Sequence, residues 1–121
     1  MPHITFEYTN NIENFDFKSF FEELKNEIVA TKVAESLGVK CRAVSCSAFY
    51  LVDGNENYKM VNLLFRLREG RTIETKQMIS KIGLNLLEKY FEKEILAKEI
   101  ILSTEIKELI TGIDLLKNSI R

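Results

Sequence analysis

Residues able to carry out acid–base or nucleophilic chemistry are few in this chain of 121 residues, which limits the kinds of site it could hold. His3 is its one histidine, which argues against a histidine-based metal site. Cys41 and Cys46 are five positions apart in a predicted strand, so their side chains point to opposite faces and should neither bridge nor share a metal. We interpret both as reduced, small, buried residues of a cytoplasmic protein.

The residue after the initiator methionine, Pro2, would carry a free secondary amine once Met1 is removed. An α-amine has a pKa of about 7.7–8.0, below that of a lysine, and burial or nearby cations would lower it further. Such an amine suits a general base near neutral pH, and the proline ring restricts its orientation. A proline here is weak evidence by itself, and we interpret the neighbouring His3 as structural.

Three cations lie where they could bind an anion. Lys40 and Arg42 share parity on a predicted strand and project from one face, and Arg71 lies just before a predicted helix. The strand pair could equally be solvent-exposed edge charges, and Arg71 could be a solvated loop residue. We interpret Arg66 and Arg68 as surface or intersubunit charges.

The composition is that of an ordinary globular domain, with 45% apolar residues, 29% charged residues and a formal net charge of -1. It has neither the basic excess of a nucleic-acid-binding protein nor an acidic tract. No apolar run approaches the roughly 18 residues that a membrane span needs, and the N-terminus lacks the features of a signal peptide. We therefore expect one cytoplasmic domain over residues 1–121, with no nucleic-acid or membrane partner.

Hydrophobic spacing in the first half predicts a strand, a helix and a second strand. Apolar and polar residues alternate from Ile4 to Tyr8, which indicates a half-buried strand. Apolar residues at helical spacing then predict a helix that ends near Leu37, before Gly38. The β-branched, aromatic and small residues of 39–52 indicate a long strand.

The second half repeats this order. A second apolar strand over 58–67 would form a long hairpin with the preceding strand, across residues 39–67. Thr72 is expected to cap a second helix, and 99–107 is expected to be the fourth strand. Apolar residues three and four apart in the tail favour a short amphipathic helix there.

Together these elements predict an α+β fold of two duplicated β-α-β units, with pseudo-repeats at about 2–53 and 58–110. Right-handed crossovers would place both helices on one face of a four-stranded mixed sheet. The other face would carry one set of alternate residues of the second strand, either Arg42, Val44, Cys46, Ala48 and Tyr50 or the set offset by one. We expect that face to be too apolar for water, so other subunits should cover it.

Four segments resemble the tautomerase superfamily, and in particular its 5-carboxymethyl-2-hydroxymuconate Δ-isomerases. They are the Met-Pro-His-Ile start at residues 1–4, the Asp-Gly turn at 53–54 followed by Tyr58, the Gly-Arg pair at 70–71, and the last strand at 102–109. The segments follow one another in order over nearly the whole chain. Their combination with a duplicated β-α-β pattern carries the resemblance.

The resemblance implies a homotrimer and an acid–base isomerisation without a cofactor, in which Pro2 is the base. It also implies two arginines in the site. One matches Arg71, whereas the family's Arg-x-Arg pattern meets Lys-Cys-Arg at 40–42, so Lys40 keeps the charge but loses the planar two-pronged donor. Arg71 and Lys40, with Arg42 and Phe49 as further substrate-binding residues, would hold substrate carboxylates and stabilise a developing dienolate.

The implied reaction moves a double bond in an unsaturated 2-hydroxy or 2-oxo dicarboxylate of aromatic catabolism. One alternative is another activity of the superfamily, such as keto–enol tautomerisation, decarboxylation or dehalogenation. The last two need an acid that activates water, for which Glu7 and Glu105 stay open. A second alternative is a non-catalytic trimeric binding protein. Val61 stands where the second half would need a proline, so we expect one site per chain.

Overall fold

The structure is a computed structural model and describes residues 2–121. Its strands and helices follow one another as β1 (His3–Thr9), α1 (Phe17–Ala30), β2 (Lys40–Cys46), β3 (Lys59–Arg68), α2 (Ile73–Tyr90), α3 (Glu92–Leu96) and β4 (Ile100–Leu109). A single 3-10 turn at Ser36–Gly38 leads into β2. In the part of the chain described, no helix is long and apolar enough to cross a membrane.

The four strands form one mixed sheet in the order β2-β1-β3-β4, which confirms the predicted fold class. β1 runs parallel to β2 and antiparallel to β3, and β3 runs parallel to β4. The predicted hairpin over 39–67 is wrong, because β1 lies between β2 and β3. Each helical crossover returns the chain parallel to the strand it left, so β2 pairs with β1 and not with the strand that follows it.

The two long helices, α1 and α2, pack on one face of the sheet, and the core lies between them and the central strands. Fully buried residues from this layer are Ile4, Phe6, Phe20, Leu24, Val61, Leu63, Phe65, Ile79 and Leu87. Gly83 lets α2 approach β3 closely, since a Cβ there would lie 2.9 Å from side-chain atoms of both Leu63 and Phe65. The spacings in the sequence therefore identified the buried faces of β1 and α1. For β2, where two alternate sets were open, pairing with β1 places Cys41 on the core side.

The sequence predicted the start of α2 correctly but not the end of α1. Thr72 caps α2 as predicted, its hydroxyl accepting a hydrogen bond from the Thr75 amide at 3.1 Å. α1 ends at Ala30 rather than near Leu37. Lys32 adopts a left-handed backbone conformation with φ of 65°, and its amide donates to the Val29 carbonyl, so the chain turns out of the helix there.

Two further predictions from spacing are wrong, and both concern segments without a pairing partner. β2 stops at Cys46 rather than at 52, because its partner β1 stops at Thr9, which lies opposite Cys46. The tail from residue 110 onwards forms turns and irregular structure instead of a helix. A helix of so few residues is unstable unless its apolar side packs, and Ile113, for example, is 72% exposed.

The uncovered face of the sheet, here called the open face, carries both polar and apolar side chains. Its polar residues include His3, Thr5, Glu7, Lys40, Arg42, Asn62, Arg66, Ser103 and Glu105, and its apolar ones include Val44, Cys46, Met60, Leu64 and Ile101. Val44 and Ile101 are 44% and 42% exposed. The expectation that other subunits cover this face stays a prediction. The cysteines are free and on opposite faces, as predicted, and burial raises the pKa of Cys41 to about 11.

Candidate active site

One end of the sheet gathers most of the predicted site residues. At this end, here called the Pro2 end, β1 and β2 start while β3 and β4 finish. Pro2 is buried, and its carbonyl accepts a hydrogen bond from the Lys40 amide at 3.0 Å. His3, the next residue, lies between Lys40 of β2 and Arg66 of β3. The prediction that Met1 is removed falls on a residue outside the described range.

Lys40 starts β2 beside Pro2 and belongs to the open face. Its ammonium group donates to the Gly38 carbonyl at 2.7 Å, which leaves two of its three protons for other acceptors. Partial burial, and secondarily the charge of Arg121, lower the pKa of Lys40. Arg42 lies two residues further along the same face.

His3 is part of a cationic patch and not only a structural residue. Partial burial lowers the pKa of its imidazole, and the charges of Lys40, Arg42 and Arg66 lower it further. The protonated form of His3 is disfavoured because three permanent cations already occupy this part of the open face. The patch therefore offers a net positive potential beside Pro2.

Arg71 is a bridge between two connections rather than a freely solvated loop residue. One terminal nitrogen of its guanidinium donates to the Arg68 carbonyl at 2.9 Å, and the other donates to the Val33 carbonyl at 3.0 Å. These bonds join the segment that leaves β3 to the segment that follows α1. A guanidinium has five N–H donors, so three remain for an anion.

A recess of about 580 Å³ lies beside Arg71 at the same end of the molecule. Its cationic lining residues are Lys32, Arg68, Arg71 and Arg121, and its one carboxylate is that of Glu35, which is ion-paired with Arg121. Val29, Val33 and Ala34 supply apolar wall. Pro2 is not part of the lining. The recess is thus an anion-attracting space at the same end of the sheet as the proposed base, which is not among its lining residues.

Phe49 is the one predicted site residue that the chain does not bring to the Pro2 end. It follows β2 at the opposite end, beyond Cys46, and is 38% exposed. The seven residues of β2 separate the two ends by about 20 Å. Within one chain, Phe49 therefore cannot share a site with Pro2.

Sequence reasoning missed the contributions of Lys32, Arg68 and Arg121 to the recess. Arg68 had a usable signal, because it shares strand parity with Arg66 and ends a strand antiparallel to β1. Lys32 was hidden because the predicted helix ran past it. Nothing in the sequence placed the tail, and hence Arg121, near residue 35. The roles assigned to Pro2 and to the other predicted site residues stay predictions.

The described residues contain no group of three or more histidine, cysteine or acidic side chains placed to hold a metal ion. The acids considered for activating water also lie away from Pro2. Glu7 is four residues along β1 from His3, which corresponds to about 13 Å of strand. Glu105 lies on the edge strand β4, two strands away from β1, and accepts a hydrogen bond from Asn62 at 2.8 Å.

Comparison with known proteins agrees with the resemblance drawn from the residues. A model of the 5-carboxymethyl-2-hydroxymuconate isomerase family matches residues 2–121. The 5-carboxymethyl-2-hydroxymuconate Delta-isomerase of Escherichia coli is 25% identical over 121 residues, which cover 99% of this chain and 96% of that protein.

Solved structures agree as well. The crystal structure of a 5-carboxymethyl-2-hydroxymuconate isomerase from Deinococcus radiodurans R1 is 27% identical, with a TM-score of 0.86 over 97% of this chain and 89% of that one. A fused 4-OT wild-type symmetric trimer is only 14% identical but has the same fold, with a TM-score of 0.74 over 96% of this chain and 92% of that one. The resemblance to the tautomerase superfamily is confirmed.

Proposed function

Because this chain belongs to the 5-carboxymethyl-2-hydroxymuconate isomerase family, and is thus an isomerase of the tautomerase superfamily, we propose the following reaction. The enzyme moves a double bond in an unsaturated 2-hydroxy or 2-oxo dicarboxylate of aromatic catabolism. The amine of Pro2, freed by removal of Met1, is the general base. It takes a proton from one carbon of the substrate and returns it to another, so no cofactor is consumed.

The observation that carries this proposal is the position of Pro2, buried at the start of β1 with cations on both neighbouring strands. Burial and adjacent positive charge both favour the neutral amine, which is the form that accepts a proton. Removing a proton next to a carbonyl leaves negative charge on oxygen, and positioned cations stabilise that charge. Lys40 and Arg71 have unused N–H donors for this purpose, and Arg42 adds charge on the open face.

A dehalogenase or decarboxylase activity is less well supported, because Glu7 and Glu105 are remote from Pro2 along the sheet. The proposal includes a cytoplasmic location, in keeping with two free cysteines. It also includes a homotrimer, in keeping with the symmetric trimer formed by the fused 4-OT protein. The connection between β2 and β3 exposes Phe49, Tyr50 and Val52, which suits burial by another subunit.

The proposal is tested by ultraviolet-monitored ketonisation of 2-hydroxydienoates that carry one or two carboxylates. Intact mass spectrometry first determines whether the protein begins at Met1 or at Pro2. We expect turnover of the dicarboxylate by processed protein and none by protein that keeps Met1, because an amide nitrogen is not a base. Equal activity in the two forms would contradict the role of Pro2, and no activity in either would favour a non-catalytic binding protein.

A further inference from the structure

The recess beside Arg71 carries more positive charge than the proposed chemistry alone requires. Three of its cations, Lys32, Arg68 and Arg121, have no part in the site predicted from the sequence, and Glu35 is the single acid among its lining residues. Its volume of about 580 Å³ falls within the usual range for small-molecule sites. Apolar side chains on one wall suit a short hydrocarbon chain that ends in an anion.

The recess lies between the segment that enters β2 and the end of β3, the two strands on either side of β1. Lys32 belongs to the connection that enters β2, and Arg68 ends β3, while β1 lies between these two strands. Arg71 spans the same gap through its bonds to the carbonyls of Arg68 and Val33. A substrate whose reacting carbons lie beside Pro2 can therefore extend one end into the recess.

We propose that the recess binds the second carboxylate of the substrate, and that Lys32, Arg68 and Arg121 determine selectivity for dicarboxylates over monocarboxylates. This inference rests on the proposed function, since it assumes that the reacting end lies beside Pro2. A carboxylate takes charge-assisted hydrogen bonds from arginine in a two-pronged geometry, which Arg68 and Arg121 can supply. Lys32 adds a point charge whose side chain starts just beyond the end of α1.

Glu35 competes with the substrate in this arrangement. Its carboxylate is ion-paired with Arg121 in the free chain, and the Asn118 side chain holds the tail nearby by donating to the Leu37 carbonyl at 2.9 Å. A substrate carboxylate that enters the recess replaces Glu35 as the partner of Arg121. Removing the charge of Glu35 should therefore strengthen binding of dianions, an effect that a purely structural role of the ion pair would not produce.

Isothermal titration calorimetry tests the inference with adipate, a saturated six-carbon dicarboxylate, and hexanoate, the matching monocarboxylate. The protein is the full chain beginning at Pro2, and the variants are Arg68→Ala, Arg121→Ala and Glu35→Gln. Arg68→Ala keeps the backbone carbonyl that Arg71 uses. Lys18→Ala is the matched control, because Lys18 is an exposed cation at the opposite end of α1. Thermal melts establish that each variant folds.

We expect Arg68→Ala and Arg121→Ala to weaken adipate binding about 10-fold to 100-fold, the usual range for losing a hydrogen bond to a charged group. Hexanoate binding should stay unchanged, and Glu35→Gln should tighten adipate binding. Equal losses for both acids, no loss in either arginine variant, or the same loss in Lys18→Ala would overturn the inference.

Turnover separates this inference from the proposed function. If adipate binding follows the expected pattern while processed protein converts no 2-hydroxydienoate, the recess is an anion site and the proposed isomerisation is wrong. If turnover depends on Pro2 but Arg68→Ala leaves the ratio of kcat/KM for dicarboxylate and monocarboxylate dienoates unchanged, the isomerisation stands and the recess has no part in selectivity.

Discussion

The two ends of the sheet differ in the kind of surface they present. The Pro2 end holds Lys40, Arg66, Arg68 and Arg71 around a buried proline, together with a cation-lined recess. The opposite end, formed by the connection at residues 47–58, has no lysine or arginine and exposes Phe49, Tyr50 and Val52. Apolar side chains such as Ile73 are exposed at the Pro2 end too, so the cations are what distinguish the two ends. Cations with unused donors suit a small anion, whereas a surface of apolar side chains without cations suits another protein surface. A single chain thus separates its proposed chemistry from its proposed assembly by the length of one strand.

The connection at residues 47–58 is held in place although its apolar side chains are exposed. Asn11 donates to the carbonyls of Glu56 and Tyr58 at 3.2 and 2.7 Å. Tyr50 and Val52 are 76% and 75% exposed. Val52 also has φ of 56°, a conformation that β-branched residues rarely adopt and that costs on the order of 1–3 kcal/mol. An anchored connection that keeps such strain agrees with a role in contact between subunits.

The largest effect is expected from blocking Pro2. A chain with one alanine inserted between Met1 and Pro2 should mature to an Ala-Pro start, in which the proline nitrogen is an amide. We expect kcat to fall by about 10²–10⁴, the usual contribution of general acid–base catalysis. Circular dichroism and thermal melts should match those of the unmodified chain. Unchanged ketonisation rates would remove Pro2 from the mechanism and with it the contrast between the two ends.

Arg71→Ala should have the next largest effect, and should act on both turnover and stability. Loss of a cation that stabilises the transition state costs about 10²–10³ in kcat. Loss of its bonds to Arg68 and Val33 should also lower the free energy of unfolding, by roughly 1–3 kcal/mol. Steady-state kinetics and urea titration measure the two effects, with Lys81→Ala, an exposed cation on α2, as control. A variant with normal kcat and lowered stability would make Arg71 purely structural.

A smaller effect, confined to assembly, is expected from Tyr50→Ser. Sedimentation equilibrium of the unmodified protein should give about three times the chain mass of 14.0 kDa. Tyrosines at interfaces often contribute about 2 kcal/mol or more, so the variant should shift towards the monomer at low concentration. Ile73→Ser is the matched control, because Ile73 is 67% exposed at the Pro2 end. Equal dissociation of both variants, or a monomeric unmodified protein, would contradict assembly through the connection at residues 47–58.

The smallest expected effect is on the pH dependence of stability through His3, whose pKa in the folded chain lies below its ordinary value of 6.5. Well above pH 6.5 the imidazole is neutral in both states. As the pH falls below 6.5 the unfolded chain takes up the proton first, so the free energy of unfolding falls, until the pH passes the lower folded pKa. His3→Gln should flatten this decline.

Urea titrations at pH 7 and pH 5.5 measure the decline directly. His3 is the one histidine of the chain, so no other imidazole contributes to the difference. An unchanged slope in His3→Gln would mean that neither burial nor the cations of the open face lower the pKa of His3.

The sequence by itself determined which residues β1 and α1 bury, but left two possible faces for β2. Ile4 and Phe6 alternate with polar residues, and Phe20, Leu24 and Ile28 recur at helical spacing, so local periodicity fixed their direction. Thr72 capped α2 as predicted, because a cap depends on groups within three residues. The predicted order of elements and the four short segments were together sufficient to indicate the family.

Only the tertiary structure decided which strands are neighbours and which cations meet. β1 lies between β2 and β3, which excluded the hairpin and brought His3 between Lys40 and Arg66. The recess combines side chains from two connections, the one after α1 and the one after β3, with Arg121 of the tail, and no local pattern relates these segments. Strand parity and helix spacing report one element at a time, whereas pairing across the sheet is a competition among all strands for backbone hydrogen bonds. The strand order that results, together with the helical crossovers, brings the cations to the same end of the sheet as Pro2 and places Phe49 at the other end.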